Sequence, residues 1–370
     1  MYQLKLHVYS LPFIVKEKKM IRKEIYNLQI VRGLAALCVV LEHLSPRAVA
    51  HFFSAGQVGV SMFFFLSGYI MMHTFREDQS AGAFLKNRIK RIYPAYLILS
   101  VPLILYTLHK TGSLTYLLHN LFLIPWTEWD REALPYNCSE SMANPAAWTL
   151  VYEFYFYLLL CVGKTLLNKR NFVFSFTSVA MIAILVVTNI TWGNDGYLGW
   201  HGVTFKSVAG NLALLSFIAG MCGRQLGFHH LKKNLAVFLL IPAAMLLLWL
   251  MAREGVTNLQ IRDLLGSCLP SWTFVLLMAN MEDLKGWMFN RLHAVGMYSY
   301  SLYLFHANFY TAKWIVFNQL SRLGLDFTLL KMAILLLFIA LSLFFSKHLY
   351  NLVERGGAWK MLRGRPLKAG

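Results

Sequence analysis

Apolar residues run along this chain in long blocks, separated by short polar stretches. Ten blocks are long enough to be read as membrane spans. They are Leu28–Leu44, Gln57–Thr74, Tyr93–Leu108, Ala147–Gly163, Phe172–Ile190, Ser207–Cys222, Leu235–Met251, Leu264–Asn280, Val295–Phe317 and Leu329–Asn351. The expected fold class is all-α, a polytopic transmembrane helical bundle of about ten spans. The intervening stretches alternate in charge. Lys and Arg gather in 16–23, 76–91, 164–170, 224–233, 285–291 and 355–368, and are sparser in 45–56, 109–146, 191–206, 252–263 and 318–328. Basic loops stay on the cytoplasmic side, so the alternation puts both termini there. Residues 1–27 read as a basic N-terminal tail, 28–355 as one transmembrane domain and 356–370 as a basic C-terminal tail.

Composition agrees. The chain is 57% hydrophobic and 14% charged, whereas soluble domains carry about 25% charged residues. A net charge of +18 raises nucleic acid as a partner, but the basic residues fall in short clusters between apolar blocks, and membrane topology explains them better. The five cysteines show no paired spacing, so neither a disulfide framework nor a metal site is indicated.

Ionisable groups inside the apolar blocks carry the candidate chemistry. Arg32 and His43 lie eleven positions apart in the first span. That is close to three helical turns, so the two side chains share one face, separated by about 16 Å along the axis. Such groups are costly unless they face protein or a water-filled cavity. His43 is the candidate base; the plainer reading is a hydrogen-bonded interior histidine. Glu42 points about 100° away from it on a helix and is a poor partner. Arg32 suits a phosphate or carboxylate, or snorkels at the helix end. Arg88 and Arg91 lie one turn apart on one face. Beside Arg32 they form a polyphosphate site on the cytoplasmic side, whereas alone they read as a topology signal. Glu153 sits in an apolar, aromatic segment, where it orients His43, binds an acceptor hydroxyl or pairs with an arginine. Ser299, Tyr303 and His306 share a helix face, with interhelical hydrogen bonding the plainer role. Ser61, Ser67 and Gly68 read as close helix packing, since no Gly-x-Ser-x-Gly elbow is present. Stretch 109–146 mixes Trp126, Trp129 and Tyr136 with Glu128, Asp130, Glu132 and Glu140. It is a candidate acceptor rim, or a set of interfacial aromatics.

Together these stretches resemble the integral-membrane acyltransferase family 3. The resemblance rests on Arg32, ten residues and His43; on Phe63 or Phe64 through Ser67-Gly68-Tyr69; on Arg88 and Arg91 before Tyr93-Pro94; on Trp148 through Glu153; and on Tyr300 through His306. Val353-Glu354-Arg355 is similar to the family's end, although a Pro often follows the Glu there. The resemblance spans about Leu28 to Arg355 and is closest to exopolysaccharide and O-antigen O-acetyltransferases. It implies an acyl-CoA donor, with acetyl as the default, held by Arg32, Arg88 and Arg91, and no metal. It implies a carbohydrate hydroxyl as acceptor, on an envelope or secreted polysaccharide or a lipid-linked precursor, and a bacterial inner membrane. His43 is then catalytic, as base or acyl carrier, and Glu153 is the second candidate catalytic residue. Trp148, Tyr303 and His306 are the candidate substrate-binding residues. A transporter or flippase of a lipid-linked saccharide, with Arg32 and Glu153 lining a passage, is the rival reading; it favours inverted repeats, and none is evident.

Overall fold

A computed structural model describes residues 25–46, 56–126, 142–192, 203–225, 240, 243–244, 268–324 and 327–355. Among these residues the fold is helical, with one isolated backbone bridge between Trp126 and Thr204. Twelve helices organise the description: α1 Tyr26–Leu44, α2 Gly56–His73, α3 Ala81–Thr111, α4 Leu114–Phe122, α5 Trp148–Leu166, α6 Arg170–Trp192, α7 Phe205–Gly210, α8 Leu214–Gln225, α9 Leu269–Asn280, α10 Trp287–Met297, α11 Ser299–Arg322 and α12 Thr328–Leu349. A π-helical turn, Tyr350–Glu354, follows α12.

The helix ends follow local chemistry. Ser80 accepts a hydrogen bond from the Ala83 N–H to start α3, and Gly112 closes that helix in the left-handed region at φ 67°. Only a residue without Cβ adopts that conformation at little cost. Ser113 then starts α4 by accepting from Tyr116. In the exposed α2–α3 turn, Arg76 pairs with Asp78 at 2.6 Å and holds that carboxyl below the usual carboxylate range. The Arg170 N–H bonds Glu77 at 3.1 Å, and that bond, with Lys169 beside it, lowers the Glu77 carboxyl likewise.

α1 and α2 form the centre. α1 packs on α2, α10 and α11, and α2 packs on α8 and α9. Two crossings are so close that a side chain has no room. A methyl group at Gly33 or Gly296 collides with backbone across the α1–α10 contact, and one at Gly68 or Gly220 does so across α2–α8. Small residues permit this kind of approach between apolar helices. The outer helices carry the opposite pattern: α6 exposes Phe172, Val179, Val187 and Ile190, and α12 exposes Leu329, Leu336, Leu337 and Phe344. An apolar surface of that kind suits a bilayer.

Among the described residues, five helical segments are long and apolar enough to cross a membrane: Tyr26–Leu44, Ala81–Thr111, Pro145–Leu166, Arg170–Thr191 and Thr328–Glu354. Two blocks that read as continuous in the sequence are interrupted. Ser207–Cys222 breaks between α7 and α8, where Asn211 Oδ1 accepts the Ala213 N–H at 2.8 Å and so turns the chain. Val295–Phe317 breaks at Tyr298 between α10 and α11. Leu235–Met251 lies outside the described residues, apart from 240 and 243–244. Residues 1–24 and 356–370 of the two expected tails lie outside them as well.

Candidate active site

The last turn of α1 presents His43 to α11. His43 Nδ1 lies 2.8 Å from His306 Nε2, and the two rings stack at 5.1 Å between centroids. Tyr310, one turn further along α11, meets the His43 ring edge-on at 5.8 Å. His306 is fully buried, and its Nδ1 lies 3.3 Å from the Leu302 carbonyl. A carbonyl only accepts, so the proton on this side belongs to His306 Nδ1. His306 Nε2 is then the acceptor, and His43 Nδ1 donates to it. This chain of donors leaves the lone pair of His43 on Nε2, the arrangement a general base requires.

The backbone under His43 is fixed separately. Lys313, buried on α11, donates from Nζ to the carbonyls of His43 and Ser45 and lies over the Tyr310 ring at 5.1 Å. A cation at a helix C-terminus satisfies carbonyls that have no partner within the helix. Glu42 does not face His43 as a partner. Its carboxylate accepts the Gly56 N–H at the first residue of α2, where an acidic group is favourable.

A cavity of about 100 Å³ opens further along the bundle, walled by α1, α2, α3, α5 and α11. Arg32 and Arg91 reach it from two helices, and Glu153, Ser67, Thr149 and Tyr157 supply further polar wall. Glu153 accepts from Ser67 Oγ at 2.8 Å and from the Tyr157 hydroxyl. Tyr303 links the cavity to the histidines. It lines the cavity, lies with its hydroxyl 3.0 Å from Thr149 Oγ1, and sits 5.9 Å from the His306 ring.

The residues singled out from the sequence therefore divide. Arg32, Arg91, Glu153 and Tyr303 meet in the cavity. His43 and His306 meet each other beyond it. Trp148 is buried edge-on to Phe64 and Tyr152. Arg88 and Arg91 part despite sharing a helix face. Arg91 lines the cavity, while the Arg88 guanidinium lies over Phe84 at 5.6 Å and its Nε is buried with no partner among the described residues. Ser67 does more than allow close packing, since it holds Glu153. Trp126 does not face outward as part of a rim. It is fully buried and stacked on His119 at 4.1 Å. Glu128, Trp129, Asp130, Glu132, Tyr136 and Glu140 lie outside the described residues. Sequence reasoning missed Lys313, although an intramembrane lysine is itself a signal. It also missed Tyr157, four residues after Glu153 and so on the same helix face.

Comparison with known proteins adds a family. A family model described as an acyltransferase domain matches residues 25–347. The Acyltransferase MdmB of Streptomyces mycarofaciens is 29% identical over 158 residues, covering 38% of this chain and 39% of that protein. The chain thus spans well under half the length of that curated relative. No solved structure matches.

Proposed function

The chain belongs to the integral-membrane acyltransferase family 3, and on that premise we propose that it moves a short acyl group, acetyl by default, from cytoplasmic acyl-CoA to a hydroxyl of a cell-envelope or secreted polysaccharide or its lipid-linked precursor. The single observation that carries the reading is the His43–His306 contact of 2.8 Å, because it leaves a lone pair on His43 Nε2. The Lys and Arg alternation supports ten spans with both termini cytoplasmic, and the resemblance implies a bacterial inner membrane. That orientation sets Arg32 and Arg91 toward the donor side. Their cavity suits the phosphate end of such a donor, whose pantetheine arm runs on toward His43. Two guanidiniums suit an anion, the remaining wall is largely apolar, and about 100 Å³ is on the scale of a small organic group.

The acceptor hydroxyl gives its proton to His43 Nε2, and its oxygen attacks the thioester carbonyl. A C–O bond forms and the C–S bond breaks. The proton on His43 returns to the departing thiolate, which leaves as the thiol. A route through acyl-His43 uses the same atoms in two steps. Glu153 accepts a hydrogen bond from one hydroxyl of the acceptor sugar. Trp148 acts from the buried wall behind Phe64, and Arg88 supports the donor from behind Arg91.

The test supplies labelled acetyl-CoA to purified protein with an envelope glycan fraction, with and without His43→Ala. The expected result is label transfer, slowed roughly a hundredfold to ten-thousandfold in the variant. Absence of any thioester-dependent transfer, together with movement of a lipid-linked sugar, would overturn the enzyme reading in favour of transport.

A further inference from the structure

Arg32, half-buried, and Arg91, exposed on its other side, line one cavity. Two cations this close repel, and a half-buried one is costly without a counter-charge. Two carboxylates are close. Glu153 is built into the wall, in the second turn of a 19-residue helix, and two hydroxyls hold it. Glu354 comes from outside the wall, at the end of the π-helical turn that follows α12. It accepts a hydrogen bond from Ser301 Oγ and lies within electrostatic reach of both Arg32 and Arg91. Ser301 stands in the same turn of α11 as Ser299, Tyr300 and Tyr303, which line the cavity. Glu354 therefore backs onto the arginines without occupying the cavity.

The two carboxylates differ in how firmly they are held. The five-residue turn carrying Glu354 contains no buried residue, and π geometry is rare and confined to short pieces. The turn packs on α3, which carries Arg91, and a segment with no fully buried residue opens more readily than a helix within the bundle. Glu153 has no comparable freedom.

Resting on the donor reading above, we infer that Glu354 is the resident counter-ion of the Arg32–Arg91 pair and that the phosphate of an acyl-CoA donor displaces it. Carboxylate and phosphate compete for the same guanidiniums, so donor affinity is the difference between two ionic interactions. Donor binding is in consequence coupled to loosening of Tyr350–Glu354. Without donor, the carboxylate keeps the arginines oriented and neutralised.

Glu354→Gln removes the charge and keeps an oxygen for the Ser301 hydroxyl. Coenzyme A binding to the purified full chain, measured by calorimetry, is expected to tighten roughly threefold to fivefold, the scale of one partly exposed ion pair. Ser301→Ala keeps the charge but releases the carboxylate, and is expected to tighten binding by less. It carries the test should Glu354→Gln not fold. Equal affinity in wild type and both variants, or weaker affinity in the variants, would overturn the counter-ion inference and leave the donor reading standing. No coenzyme A binding by any of the three, with no label transfer, would overturn the donor reading and this inference with it.

Discussion

The two ends of α1 solve opposite electrostatic problems. At Arg32 the bundle keeps a permanent charge and gives it a cavity, a second arginine from α3 and carboxylates nearby. At His43 it spends buried contacts on direction: His306 meets one ring nitrogen, Tyr310 holds the ring edge, and Lys313 fixes the backbone beneath. An anion-binding group works through its charge and tolerates some freedom. A base works through one lone pair and needs its tautomer and angle set. The same helix thus combines an adaptable end with a preorganised one.

The sharpest way to break this contrast is at His306. His306→Leu removes the acceptor for His43 Nδ1 and frees the wrong tautomer, so kcat is expected to fall by about a hundredfold, the lower end of what a general base contributes, while the donor KM stays nearly unchanged. His306→Gln offers an oxygen to His43 Nδ1 and should recover part of that loss. A leucine variant that raises the donor KM and spares kcat would erase the distinction between the two ends. Arg32→Met probes the other end. Losing a hydrogen-bonding charge is expected to raise the donor KM about tenfold and to change kcat little, measured on acyl-CoA titrations at saturating acceptor. The smallest effect belongs to Glu42. Glu42→Ala takes away the carboxylate that accepts the Gly56 N–H and should cost about 1 kcal/mol of stability. A lower thermal midpoint with kcat/KM retained is the expected outcome. A collapse of kcat would return Glu42 to the chemistry.

Much of the helical pattern was legible. The apolar blocks anticipate α1, α2, α5, α6 and α12 closely, because in lipid only helices satisfy every backbone group along such a run. The breaks at Asn211 and Tyr298 were not legible. Each depends on a local hydrogen bond or crossing that leaves hydropathy untouched. At the site, the eleven-residue step from Arg32 to His43 was readable as a shared face. That Arg88 and Arg91 would part was not, because neighbouring side chains decide which of two equivalent arginines enters the cavity. Glu153 was recognisable as an intramembrane carboxylate, but its holders Ser67 and Tyr157 come from two helices, and only α5 supplies a spacing clue.

The sequence by itself determined the membrane class, the helical content, the family and the identity of the groups able to do chemistry. These follow from hydropathy, periodicity and residue type, which are local properties. The tertiary structure alone decided that His43 looks to His306 rather than to Glu42 or Glu153, and that Arg32 and Arg91 line one cavity. The reason is distance along the chain: His43 and His306 are 263 residues apart, and no local pattern records which helix faces which. Helix packing made that choice, with Gly33 against α10 and Gly68 against α8 fixing how α1 and α2 sit within the bundle.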